Sequence, residues 1–239
     1  HVLTAAWLTG AFLVLSVSAW HLLKKRGVPV AERGLKTALA ISAAAIVLQF
    51  ASGHASAMLV EKVQPVKFAA MEGVFDGGEP AGFHVVGWVD EEARTVRGLT
   101  VPGVVSVMLG KGLEVTPETR LLGLNDVPAE NRPPLQLTFQ GFHWMVYCGV
   151  VMFALAGTGM LLWFRGRLLA SRWWLALCVP AFLLPQLANQ AGWIATEVGR
   201  QPWIVQNLLK TQDAFSTNVS CGQLWFSLIF FSLIYAGML

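Results

Sequence analysis

The chain of 239 residues is 55% hydrophobic and 13% charged, with a mean hydropathy of +0.56, which excludes an ordinary soluble domain and marks an integral membrane protein. Its net charge of +3 comes without a basic stripe interleaved with aromatics, so nucleic acid is excluded as a partner. Short strands of alternating polarity are absent from the apolar runs, which excludes a membrane barrel.

The first apolar run, His1 to Leu23, is long enough to cross roughly 30 Å of hydrocarbon as a helix. It opens without an initiator Met, a basic leader or a small-residue cleavage site, so the chain is expected to be part of something longer or one piece of a larger assembly. The next connection carries Lys24, Lys25, Arg26, Arg33 and Lys36 against Glu32 alone, which assigns it to the cytoplasmic side, with His21 as an interfacial side chain beside it. A second run, Leu35 to Val60, returns outward and brings His54 near its outer end, as a proton-handling group or a head-group contact.

The segment Glu61 to Thr138 holds seven basic residues against eleven acidic ones, the balance of an outward-facing, periplasmic loop. Within it, VQPVKFAAMEGVF predicts a short amphipathic helix over Val66 to Phe75, begun by Pro65 and stopped at Gly77-Gly78. Lying along the membrane surface, that helix is expected to turn Phe68, Met71 and Phe75 toward the lipid interface and Lys67 and Glu72 toward water or a ligand head group. A strand pair is predicted at Phe83 to Trp88 and Arg94 to Val101, and His84 carries no signal of its own. No phosphate loop, Ser-His-Asp arrangement or nucleophile elbow occurs in the loop.

Three further runs follow, Phe139 to Phe164, Trp173 to Thr196 and Val219 to Leu239, with Arg165, Arg167 and Arg172 marking the connection between the first two as cytoplasmic. The expected fold is therefore an all-α integral membrane protein: two transmembrane helices over residues 1–60, a periplasmic loop over 61–138, and three more transmembrane helices over 139–239. Cys148, Cys178 and Cys221 all fall in apolar runs without metal-ligand spacing and are read as buried small hydrophobes. Most of the ten Trp, Trp163, Trp173 and Trp203 among them, are read as interfacial anchors.

Ionisable groups at the end of a spanning run are costly, which draws attention to WIATEVGRQPW at Trp193 to Trp203 with Glu197 and Arg200. Simple pairing of the two, three apart on one helical face, is the competing explanation. At the same outer side, His1 begins the first helix and Met145 lies early in the third, an imidazole and a thioether able to share a heme iron. A starting His is more often an interface residue, and a lone Met more often core packing. His143 and Met145, two apart, project about 200° from each other, so only one of them can face a given iron.

Together HVLTAAWLTGAFLVLSVSAW at His1 to Trp20, VQPVKFAAMEGVF at Val63 to Phe75, FHWMVYCGV at Phe142 to Val150 and WIATEVGRQPW resemble subunit I of the bd-type quinol oxidases, from its fifth transmembrane helix to its ninth. The resemblance implies a heme-bearing subunit of a terminal oxidase of the bacterial inner (cytoplasmic) membrane, oxidising quinol at the periplasmic face and reducing oxygen to water. It matches His1 and Met145 to the axial ligands of the low-spin heme b and Glu197 to the ligand of a high-spin heme, in most members the high-spin heme b beside heme d. Trp193 is then expected near that pair of hemes, and Arg200 is placed to neutralise carboxylate or propionate charge. Lys67 and Glu72 match the pair of the quinol-oxidation loop, here of the compact kind. His143 stands where the family usually carries an Arg, within the environment of the low-spin heme. Implied partners are quinol, oxygen and membrane lipid, a second oxidase subunit with small single-helix subunits, and the N-terminal half of subunit I or a companion chain in its place. Two readings compete: an electron-transfer heme b subunit without oxygen reduction, and a cofactor-free scaffold derived from it.

Overall fold

The computed structural model describes residues 1–216 and 218–238; Leu239, the last residue of the fifth expected run, lies outside them. Two compact units are present, His1–Gln201 and Pro202–Leu239. Among the described residues, five helical segments are long and apolar enough to cross a membrane, in agreement with the expected class: Val2–Leu23, Val28–Val63, Leu135–Phe164, Arg172–Val198 and Cys221–Met238.

In the first unit, α1 (Val2–Leu23) and α2 (Val28–Val63) form an antiparallel pair. Their turn is closed by Lys25 N–H to the Leu22 carbonyl and Arg26 N–H to the His21 carbonyl, which satisfy the last carbonyls of α1. Leu8, Ala11, Phe12, Leu15 and Ala19 recur at three- and four-residue spacing and make one buried stripe of α1, while its other faces remain for lipid. Apolar burial gives little drive between helices in lipid, so close packing decides which surfaces meet. Gly141 of α5 (Leu135–Phe164) shows this: a Cβ there would lie 3.0 Å from the Ala191 carbonyl and 3.4 Å from the Ala195 Cβ of α7 (Leu183–Val198).

The fourth span is broken. After α6 (Arg172–Cys178), a 3-10 turn over Val179–Phe182 containing Pro180 interrupts the ladder before α7. The Cys178 carbonyl accepts Ser16 Oγ of α1 at 2.8 Å, and the wholly buried Trp174 donates its indole N–H to the Leu155 carbonyl of α5 at 3.1 Å. The first of these bonds serves a carbonyl at the break, where the helical ladder is interrupted, and the second ties α6 to the middle of α5.

Between α2 and α5 lies a folded segment with its own core. It comprises α3 (Pro65–Glu72), a hairpin of β1 (Phe83–Asp90) and β2 (Thr95–Val101), α4 (Val104–Met108) and short 3-10 turns. Phe68, Phe75, Leu121, Leu124, Leu135 and Phe139 cluster there, each worth about 1.5–3 kcal/mol where burial removes it from water. Gly73 ends α3 in the left-handed conformation, at φ 72°, which a side-chain-bearing residue resists. An ion pair between Glu61 of α2 and Lys111, 2.8 Å apart and largely shielded, ties the segment back to the end of α2.

Two expectations are corrected. The short helix does not lie on lipid with its charges in water: Lys67, Phe68, Ala69, Ala70 and Glu72 are all buried, because α3 is enclosed by α2, α5 and the Leu124–Asp126 turn. Cys221 is exposed, since no side chain of α8 (Cys221–Met238) is covered by protein among the described residues; Cys148 and Cys178 are buried as expected. The second unit contains α8 and a small hairpin of β3 (Trp203–Val205) and β4 (Leu209–Lys210), where the Lys210 ammonium sits 5.4 Å from the Trp203 ring centre.

Candidate functional site

Lys67 projects from α3 into the junction of three helices. Its Nζ donates to the Thr196 carbonyl of α7 at 2.9 Å, one of the final-turn carbonyls that lack an intrahelical partner. A cation at the carbonyl end of a helix also gains from the helix dipole. Burial, with Arg200 adding to it and Glu197 opposing, holds the ammonium below its ordinary pKa.

Glu72, about a turn and a half further along α3, is 6% exposed, and its Oε2 has no hydrogen-bond partner among the described residues. Burial pushes its carboxyl up to about 8, so it is mostly protonated at neutral pH. No ion pair joins it to Lys67 among the described residues; the two occupy one short helix with different neighbours.

His1 packs on α2. Its Nδ1 lies 3.2 Å from Ser52 Oγ and its Nε2 3.1 Å from Gln49 Nε2, while its Cε1 would be 3.3 Å from a Cβ on Gly53. Met145 packs on α7 instead, its Sδ 2.7 Å from where a Cβ on Gly192 would stand. Helical spacing relates the two. Phe50 of α2 meets Phe153 edge-on at 5.8 Å and lies 4.0 Å from the Cβ position of Gly149. One turn, about 5.4 Å, toward the loop from Phe50 and Gly149 reaches the Gly53–His54 turn and Met145, so His1 and Met145 occupy one layer of the bundle on different helices.

His143 leaves α5 on another side. It is wholly buried, with Nδ1 2.9 Å from the Phe139 carbonyl and its ring stacked on Phe139 at 3.9 Å and on Phe83 of β1 at 5.8 Å. Neighbouring side chains on that face stitch α5 to β1: Gln136 Oε1 accepts from Val89 N–H, Gln140 Nε2 donates to the Gly87 carbonyl, and Tyr147 O–H donates to the Val85 carbonyl. His84, half-buried in β1, bonds Thr100 through Nδ1, and burial followed by the nearby His143 lowers its pKa.

Glu197 and Arg200 form an ion pair at the end of α7, each side chain partly exposed. Trp193, one turn earlier, is 63% exposed and rests on nothing within the first unit that would bury it. The outer edge of α7 thus presents an indole, a carboxylate and a guanidinium together.

The sequence profile of cytochrome bd terminal oxidase subunit I matches residues 1–239. The chain belongs to that family. It is 36% identical to cytochrome bd ubiquinol oxidase subunit 1 of Bacillus subtilis (strain 168), over 98% of this chain and 52% of that one. Identity is 28% to cytochrome bd-II ubiquinol oxidase subunit 1 of Escherichia coli (strain K12), over 98% and 58% of the respective lengths. The bd oxidase structure from Geobacillus thermodenitrificans superposes with a TM-score of 0.80 at 30% identity, covering 99% of this chain and 54% of the other. The chain therefore spans about half the length of the curated relatives it matches. Membership and five spanning helices place it in the bacterial inner membrane.

For this family heme is the implied cofactor, and the donor chemistry fits. An imidazole and a thioether would suit a six-coordinate, electron-transferring heme, and a single carboxylate would suit an iron that keeps a position free. Ser52 lies on His1 Nδ1 and Gln49 on Nε2, so an imidazole that gave up one of these contacts to ligate an iron would keep the other as its orienting partner. Reasoning on the sequence singled out neither residue, nor Thr196 and Gly199. The stitching residues were accessible: Gln136, Gln140, His143 and Tyr147 repeat at helical spacing as polar positions on one face of an apolar run.

Proposed function

We propose that this chain is the quinol-oxidising, heme-binding half of a bd-type terminal oxidase subunit I, working with the remaining portion of that subunit and a second oxidase subunit to transfer electrons from quinol to oxygen. Its loop would face the periplasm, a direction supported by the charge of the connections. This reading is supported by the helical spacing that puts His1 and Met145 at about the same level of the bundle, and by a folded loop that buries the Glu72 carboxyl.

His1 and Met145 would hold a low-spin heme b, and Glu197 a high-spin heme of the b type with heme d beside it; when bound, these groups supply electron transfer and oxygen binding. The protein's own part concerns protons and charge. Oxidation of a quinol releases two electrons and two protons. A group that accepts a proton works best with a pKa near the ambient pH, and Glu72, at about 8, meets that condition with an unpaired oxygen. Lys67, on the same short helix, supplies positive charge at the junction of that helix with α7. Arg200 pairs with Glu197, and the same guanidinium would be available to a propionate if the carboxylate held an iron. Trp193 offers an indole face on the same edge.

Heme extraction with an absorption spectrum of the purified complex tests the proposal. Heme b together with a chlorin supports the oxidase; heme b alone would leave an electron-transfer subunit, and no heme a scaffold.

A further inference from the structure

We infer that Lys67 is a positioning residue for the carboxylate-bearing turn of α7, locking the loop helix α3 to that turn so that the two move as one body. The inference rests on the proposed function and departs from it in the task given to this side chain: Lys67 acts through α7, and Glu72 alone is left to meet the quinol.

Three observations carry it. First, the ammonium is committed to protein, with Nζ 2.9 Å from the Thr196 carbonyl, the residue immediately before Glu197. Second, the stem of Lys67 is wedged as well. A Cβ on Gly199 would stand 3.2 Å from Lys67 Cγ, 2.9 Å from Thr138 Cγ2 of α5 and 2.5 Å from the Ala195 carbonyl, so α3, α5 and α7 meet there without spare room. Third, Lys67 is buried at 9% exposure, and Thr138 beneath it is wholly buried, its hydroxyl spent on the Pro134 carbonyl. A long, flexible side chain gains fixed geometry only when both its stem and its head are held, and here both are.

Two consequences follow from mechanics alone. The final turn of α7 has orphan carbonyls, and a turn whose carbonyl is tied to a neighbouring helix frays less than a free one. Glu197 follows Thr196 directly, so the direction of its carboxylate inherits that restraint. A disturbance of α3 by a ligand at Glu72 is transmitted to Glu197 through a single hydrogen bond and a packed stem.

The test compares Lys67→Met, Lys67→Arg and Gly199→Ala in the purified oxidase complex. Amide hydrogen exchange over residues 194–201, the absorption signature of the high-spin heme and the KM and kcat for quinol are read in each. Lys67→Met is expected to speed exchange in that stretch at least tenfold, to shift or broaden the high-spin band, and to lower kcat with KM little changed. Lys67→Arg, still able to donate to the Thr196 carbonyl, should restore exchange and spectrum. Gly199→Ala crowds the same stem and should reproduce the Met variant's spectral change, which decides the matter if Lys67→Met fails to assemble. A raised KM with exchange and high-spin band unchanged overturns the inference and makes Lys67 a direct quinol contact. Absence of any high-spin heme in the unmodified complex would instead overturn the proposed function.

Discussion

His143 and Met145 leave α5 on opposing faces, the first stacked on Phe139 at 3.9 Å under the hairpin, the second against Gly192 of α7. Two residues on one helix thus serve different neighbours. An arginine at position 143 would add a fixed positive charge two residues from Met145, so, if Met145 holds the proposed low-spin heme, His143→Arg is expected to raise its midpoint potential, since the reduced form is favoured by added positive charge. A redox titration of both proteins that finds no rise removes this assignment. The guanidinium would enter a wholly buried site, and a loss on the order of several kcal/mol in stability should accompany it.

Gly192→Ala places a Cβ 2.7 Å from the Met145 sulfur, closer than real contacts allow. The sulfur must move, and the low-spin absorption band should weaken while the band associated with Glu197 persists. Reduced-minus-oxidised spectra check this directly.

Glu197→Ala should give the reciprocal pattern, with high-spin signal lost and the low-spin band spared. An unchanged spectrum would show that another group serves that iron.

Glu72 makes stability depend on pH. Its folded pKa, about 8, lies above the ordinary value of 4.5, so the folded state binds the proton more tightly. That contribution is complete below about pH 4.5, declines as pH rises and is gone above about 8. Glu72→Gln should flatten thermal stability against pH across this window, and quinol oxidation should fall about a hundredfold if the carboxyl is the proton acceptor. Melting curves of the two proteins that stay parallel from pH 5 to 9 would contradict the buried, protonated state.

Gly159→Ala probes the helix core: the added Cβ would lie 2.4 Å from Trp174 Cζ2 and 2.9 Å from Leu39 Cδ1. Overpacking of this kind costs about 1–3 kcal/mol, seen as a lowered melting temperature with normal spectra.

The five spans were legible because an apolar run of sufficient length has one solution in lipid. The strand pair was legible too, found at Phe83–Asp90 and Thr95–Val101 close to the predicted bounds. What pattern alone misread was the surroundings of α3. Phe68, Met71 and Phe75 fit a lipid-facing stripe, yet Phe68 and Phe75 enter a protein core supplied by Leu121, Leu124 and Phe139, which lie distant in sequence. Periodicity says that a face must be covered and leaves open what covers it. For the same reason, Lys67 was readable as a charge but its partner was not, since Thr196 offers only a backbone carbonyl, which no residue type advertises.

The interruption at Val179–Phe182 governs more than local geometry. From Phe182 to Glu197 the chain advances about 22 Å, so a swing of about 10° at the break displaces the carboxylate by about 4 Å, roughly twice a metal–oxygen bond. Ser16, through its grip on the Cys178 carbonyl, sets the hinge of that lever from the first helix, and Lys67 steadies its far tip. Aim at the tip is thus shared between two anchors about five helical turns apart, and slack at either would misdirect the acid without touching it.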